Sequence, residues 1–242
     1  MARQNDLGLG QGGIVRLVTA LGFVILLVPL VTVVVFSFTA SDLPTHWAGG
    51  TLRWYREVLR DDTLVPAIRS SLQIALLSTT LATVLGTILA WSLAKRIFPG
   101  RGFVQSLVTV PIILPEIILG VSLLLLLVFL RCPLGFFAIV LAHTTFNIPF
   151  VAMIVAARLE RCDKRLIEAG MDLGAGPWQS FRDIALPQLM PGIMAGALFA
   201  FTLSLDDFVV TLFVAGSSVT TLPLKLYTMI KNGMNPSINA LS

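Results

Sequence analysis

The stretch Glu168-Ala169-Gly170-Met171-Asp172-Leu173-Gly174-Ala175-Gly176-Pro177-Trp178-Gln179-Ser180-Phe181-Arg182-Asp183-Ile184-Ala185-Leu186-Pro187 decides how this chain is read. It is polar and helix-forming, yet it lies between two apolar segments. Lys164 to Leu173 is built of good helix formers, with Leu166, Gly170 and Leu173 recurring at helical spacing. Gly174 is suited to the left-handed conformation that ends a helix. Gly176-Pro177 then turns the chain, and Pro177 fits the first position of a second short helix carrying Trp178, Phe181 and Ile184. Pro187 is expected to separate that helix from the next apolar span. The spacing predicts a helix–turn–helix elbow at a membrane surface, with one apolar and one charged edge. Acids at Glu160, Asp163, Glu168, Asp172 and Asp183 interrupt any cationic face, which argues against a connector resting on anionic headgroups.

The rest of the chain is membrane. Hydrophobic residues make up 56% and charged residues 12% of 242 residues, and charge is about half as frequent as in soluble domains. Apolar stretches at 14–38, 66–94, 103–130, 135–157 and 188–215 each reach the roughly 20 residues needed to cross the hydrocarbon core. The first is too long for a signal-peptide core and reads as a retained span behind a flexible tail, 1–13. Prolines at 29, 111, 115, 149 and 191 are tolerated where neighbouring helices satisfy the freed carbonyls. The net charge of +4 is scattered over loops, so it reports topology rather than nucleic-acid binding. The loop 95–102 carries Lys95, Arg96 and Arg101 with no acid. The positive-inside rule therefore places the N-terminus, this loop and the elbow in the cytoplasm. Cys132 and Cys162 then fall on opposite sides and have no metal-ligand spacing.

Three acids stand in apolar spans: Glu116, Asp206 and Asp207. An acid near the bilayer centre costs about 2.5–3.5 kcal/mol on insertion scales, so such groups usually serve a cavity. No span holds a Lys or Arg near its middle, and unpaired carboxylates along a path favour a cationic passenger. Adjacent acids point in different directions on a helix, so at most one of the Asp pair faces a pore fully. Phe146, Phe150 and Phe208 are candidate aromatic wall groups that would offer cation–π contact, with plain packing the competing reading. His143 and Asn147 share one face of the fourth span, where interhelical hydrogen bonding is expected. Gly192-x-x-x-Gly196 suits close helix packing. Trp47, Trp54 and Tyr55 in the outer segment 39–65 read as interface anchors.

The order Glu168-Ala169, Gly174, Ile184-x-Leu186-Pro187 resembles the coupling loop of ABC-importer permeases of the binding-protein-dependent, MetI-like type I family. The departure is Gly170, where that family usually has Ala. Ser204-Leu205-Asp206-Asp207-Phe208, Leu222-Pro223-Leu224-Lys225-Leu226-Tyr227, Asn239-Ala240-Leu241 and Pro115-Glu116-Ile117 are similar to the second permease of spermidine/putrescine importers, which often carries Asp where Glu116 stands. The resemblance implies an all-α membrane protein with a type I importer transmembrane domain over 14–242, and a cytosolic coupling helix. That family has a sixth span; this sequence holds five and ends at Ser242, where the sixth would begin.

The resemblance further implies docking of the elbow on an ATPase through Glu168, Ala169, Gly170, Gly174, Leu186 and Pro187. Glu116, Asp206, Asp207, Phe146, Phe150 and Phe208 become the expected substrate path. Partners follow: a second homologous permease, two cytosolic ABC ATPases that bind ATP and Mg, and an outer substrate-binding protein that meets outer loops such as 217–242. No G-x-x-x-x-G-K-[ST] motif occurs in the sequence, and the Gly8-x-Gly10-x-x-Gly13 pattern lacks a preceding strand, so no cofactor and no catalytic role are assigned to this chain. The expected activity is ATP-driven polyamine import across a bacterial inner membrane. The competing readings are the same machinery with ferric iron, an opine or another amino-containing solute, and a proton-coupled secondary transporter using Glu116 and the Asp pair.

Overall fold

A computed structural model describes residues 9–43, 45–94, 100–233 and 236–241. Gly8 of the glycine pattern, and Lys95 and Arg96 of the orientation argument, lie outside the described residues. The described residues are helical, in the order α1 (Leu9–Phe36), α2 (Arg53–Arg60), α3 (Leu64–Ala94), α4 (Arg101–Ile113), α5 (Glu116–Phe129), α6 (Phe136–Glu160), α7 (Lys164–Asp172), α8 (Pro177–Gln179), a π-helical turn (Ser180–Ala185), α9 (Leu186–Asp206), α10 (Val209–Val214), α11 (Leu222–Asn232) and α12 (Ser237–Leu241). They form two compact units, residues 1–65 with 226–242, and residues 66–225.

The second unit is organised around α6, which packs most extensively on α9. Small residues set that approach. A Cβ on Gly86 would lie 2.8 Å from Val151 Cβ, and one on Gly196 would lie 3.3 Å from Val151 Cγ1. Val151 is thus gripped by α3 on one side and α9 on the other, fully buried with Ala82, Ala152, Val155, Leu189 and Ala200. Lower on the same seam, Gly192 admits the stem of Arg158, whose Cβ would be 2.6 Å from an added Cβ. The expected role of Gly192 and Gly196 in close packing is met, and Gly86 shares it. Close backbone approach replaces the hydrophobic drive that is missing between helices in lipid.

Among the described residues, four helices are long and apolar enough to cross a membrane: Gly13–Phe36, Leu64–Ala94, Phe136–Glu160 and Pro177–Asp206. The stretch 103–130, expected as one span, is built of two helices bent by 118° at a short break, a pair apolar enough to cross together. Leu114 at the corner is extended, with φ −71° and ψ 138°, because a residue before proline is pushed out of the helical region, and Pro115 has no N–H with which to continue the ladder. The stretch 188–215 also differs from expectation. Its helix begins in the elbow, stops at Asp206, and resumes as α10 after Asp207, whose ψ of 120° is extended. Pro187 therefore does not separate the elbow's second helix from the span. The intervening π turn shifts the hydrogen-bond register, with Leu186 N–H reaching Phe181 O five residues back, and the helix passes the proline without a break.

In the first unit, α1 is apolar and exposed along Gly13–Phe36, as a lipid-facing span would be. Trp54 is not an interface anchor: it is 2% exposed, and its indole Nε1 donates to Thr39 O at 2.7 Å. Tyr55 likewise turns inward, its hydroxyl 2.7 Å from Ser37 Oγ. Trp47 alone of the three is exposed. Both inward groups have polar tips that require partners once buried, and the loop 37–50 supplies them.

Filling the α3–α6 contact should break it. Gly86→Val is expected to lower the melting temperature of the purified complex in detergent, through overpacking worth about 1–3 kcal/mol. Gly22→Val, at a position with nothing within 4 Å of an added Cβ, should leave that temperature unchanged.

Candidate functional site

The elbow is built from its caps. Asp163 starts α7, its carboxylate accepting from Arg165 N–H at 3.0 Å. Gly174, at φ +91°, ends the helix with paired bonds: Gly174 N–H to Met171 O at 2.9 Å and Ala175 N–H to Gly170 O at 3.0 Å. This double closure is the Schellman motif, and it needs a left-handed residue that only Gly adopts without penalty. Gly176 N–H then bonds Gln179 Oε1 at 3.3 Å, with Pro177 opening α8 as expected.

Gly170 has a packing role that no local sequence signal announces. Ile184 Cδ1 occupies the space that a Cβ on Gly170 would take, so α7 folds directly onto the π turn. The elbow is correspondingly close-packed at this position. Its other anchors are aromatic and cationic. Phe181 meets Trp91 of α3 edge-on with centroids 4.8 Å apart. Arg158 Nε donates to Gln188 O at 2.9 Å, which ties the base of α6 to the start of α9.

The outer side is left open. Glu168, Ala169, Gly174 and Pro187 are exposed and Leu186 is half-buried. Beside them Leu173 is 89% and Trp178 is 70% exposed, with Met171 and Leu166 also uncovered. Such a run of large apolar groups next to charges has the composition of a protein interface.

The membrane acids separate into two kinds. Glu116 heads α5, exposed, just past the α4–α5 corner, where an acid suits the positive end of a helix. Asp206 is also exposed. Neither makes an ion pair among the described residues. Asp207, expected as an unpaired path carboxylate, is paired: its side chain is 6% exposed and Oδ2 lies 3.2 Å from His143 Nε2. Oδ2 also accepts from Thr211 N–H at 2.8 Å and Thr211 Oγ1 at 2.7 Å. The partner is a histidine of the fourth span, which the lack of Lys and Arg near mid-span does not exclude. His143 and Asn147 do bond between helices, His143 to Ser204 and Thr211 and Asn147 Nδ2 to Ala200 O at 3.3 Å.

The aromatic candidates divide as well. Phe146 is buried beside His143, ring centroids 5.2 Å apart. Phe150 and Phe208 are half-buried, Phe150 against Phe199. Cys132 and Cys162 are free thiols.

Comparison with known proteins agrees with this architecture. Residues 82–240 match the family described as binding-protein-dependent transport system inner membrane component. Over 230 residues the chain is 45% identical to the putrescine transport system permease protein PotI of Escherichia coli (strain K12), covering 92% of this chain and 82% of that protein. Over 217 residues it is 41% identical to the spermidine/putrescine transport system permease protein PotC of the same strain, covering 90% and 82%. The fold also matches that of a chain in the crystal structure of a bacterial ABC transporter involved in the import of the acidic polysaccharide alginate, with a TM-score of 0.77 over 96% of this chain and 88% of that one, at 15% identity. A type I importer fold, a capped elbow with an open outer side, and relatives matched along most of their length place the chain in one family: it is an inner-membrane permease subunit of a binding-protein-dependent ABC importer.

Proposed function

We propose that this permease imports polyamines, spermidine or putrescine, by ATP-driven alternating access. The observation that carries the cargo is the identity of 45% and 41% to a putrescine and a spermidine/putrescine permease along most of both chains. The open carboxylates support it. Glu116 and Asp206 are exposed in the membrane-spanning unit with no cationic side chain paired to them among the described residues, and a flexible polycation supplies the missing charge. Phe150 and Phe208, half-buried in the same unit, offer ring faces for ammonium groups.

ATP and Mg belong to two cytosolic ATPases in this reading, and the exposed Leu173, Trp178 and Glu168 of the elbow are the surface they grip. A second, similar permease completes the path, an outer receptor delivers cargo, and the N-terminus lies in the cytoplasm.

Three outcomes test this. Labelled putrescine uptake into proteoliposomes carrying the full complex should require ATP hydrolysis and survive collapse of the proton gradient; uptake that follows the gradient instead would establish a secondary transporter. Glu116→Gln and Asp206→Asn should each raise the KM for putrescine about tenfold, as losing about 1.4 kcal/mol of charge pairing does. A KM unchanged in both removes the cation path. Finally, Gly170→Leu, which would drive Ile184 off α7, should cut receptor-stimulated uptake several-fold while ATP hydrolysis persists. Transport and hydrolysis falling together in proportion would show that the elbow does no coupling.

A further inference from the structure

The His143–Asp207 contact belongs to a buried polar chain that crosses four helices. Ser78 Oγ of α3 lies 3.0 Å from Ser204 Oγ of α9. Ser204 Oγ lies 2.7 Å from His143 Nδ1 of α6. His143 Nε2 lies 2.9 Å from Thr211 Oγ1 of α10 and 3.2 Å from Asp207 Oδ2 at the α9–α10 break. All of it is sealed from solvent, with His143 1% exposed and Ser78, Ser204 and Thr211 buried.

Heavy-atom geometry fixes two hydrogens and leaves the rest reversible. Thr211 spends its hydroxyl hydrogen on Asp207, so the same oxygen accepts from His143, and Nε2 carries a hydrogen. With a neutral ring, Ser204 donates to Nδ1 and Ser78 donates to Ser204. With a charged ring, Nδ1 donates to Ser204, Ser204 to Ser78, and Ser78 to Ala75 O at 3.3 Å. Every atom of the chain is satisfied in both states. A buried network with no orphan in either arrangement is a specific tie rather than a by-product of packing.

Its position gives the tie a purpose. Asp207 is extended and accepts from the first N–H groups of α10, Val210 at 3.3 Å and Thr211 at 2.8 Å. The carboxylate therefore caps α10 and sets the corner that leaves the neighbouring Asp206 exposed. Beyond these bonds from Val210 and Thr211, the group that lies against the Asp207 carboxylate is His143, with Nε2 3.2 Å from Oδ2 and within hydrogen-bond distance of the same Thr211 hydroxyl.

We propose that His143 is a positioning residue for transport: by holding Asp207 it fixes the α9–α10 corner, so that Asp206 and not Asp207 meets the cargo. The cargo half of this statement rests on the polyamine reading above, whereas the tie itself does not. Amide substitutions separate the two ends of the imidazole. His143→Gln places an amide N–H near the Nε2 position, within reach of Asp207. His143→Asn reaches only as far as Nδ1 and Ser204.

The test measures putrescine uptake and receptor-stimulated ATP hydrolysis across putrescine concentrations in the assembled complex. His143→Gln should keep at least half of the maximal rate. His143→Asn and Asp207→Asn should each lose about tenfold in maximal rate with KM within twofold of wild type. The His143→Asn/Asp207→Asn pair should be no worse than either single change, because the two residues act as one unit. Asp207→Asn raising KM with maximal rate intact would make Asp207 a cargo contact and overturn the proposal. Equal behaviour of the Gln and Asn variants at position 143 would overturn it too. If wild-type complex takes up no putrescine, the polyamine reading fails alone, and the same ordering of variants in receptor-stimulated ATP hydrolysis still decides the tie.

Discussion

The seating of Val151 between Gly86 and Gly196 lets α3, α6 and α9 approach closely enough for everything else in the transmembrane unit to form. In lipid there is little hydrophobic gain from bringing two apolar helices together, so dispersion at short range and interhelical hydrogen bonds must do the work. Both depend on backbone separation. The Asn147–Ala200 bond at 3.3 Å spans the α6–α9 pair that Gly196 draws together, and the Ser78–Ser204 bond at 3.0 Å links the two helices, α3 and α9, that flank Val151. A bulkier residue at either glycine would open the seam and strand buried polar groups along it.

From that seam the elbow and the membrane break become two ends of one element. Pro177–Asp206 is a continuous 30-residue helical segment, about 45 Å at a helical rise per residue. It starts at the Schellman-capped turn, passes Pro187 through the π register, and ends where Asp207 is held by His143. A displacement at Trp178 or Phe181 has few ways to be absorbed before it reaches the far corner. The Trp91–Phe181 contact and the Arg158–Gln188 bond pass the same movement to α3 and α6. Tight joints inside the bundle and bare apolar side chains at the tip of the elbow are what a subunit driven by a partner requires.

The elbow was almost wholly legible beforehand because its signals are local. Gly174 must be left-handed and Pro177 must open a helix whatever surrounds them. The close packing of Gly192 and Gly196 was legible too, since small residues four apart in an apolar run have few other uses. Pro187 misled: a proline forbids one hydrogen bond, but a π turn moves that gap into a register where no bond is needed. Asp207 misled for a different reason. It and His143 are 64 positions apart in the sequence, and nothing in the composition of either span says that their side chains meet. Trp54 and Tyr55, read as interface anchors from residue type, turn inward, Trp54 buried and Tyr55 half-buried, because Thr39 and Ser37 offer them partners.

What the sequence determined by itself was whatever follows from covalent constraint and from length: the apolar spans, the capped elbow and the family. Each depends on neighbours within a few residues or on a run long enough to cross hydrocarbon. What only the tertiary structure decided was the fate of polar groups inside the bundle, where a carboxylate is either open or silenced according to which side chain another helix places beside it. Glu116 and Asp206 stayed open and Asp207 did not. Electrostatic partnership acts through space over about 3 Å, and only the packed bundle sets those distances.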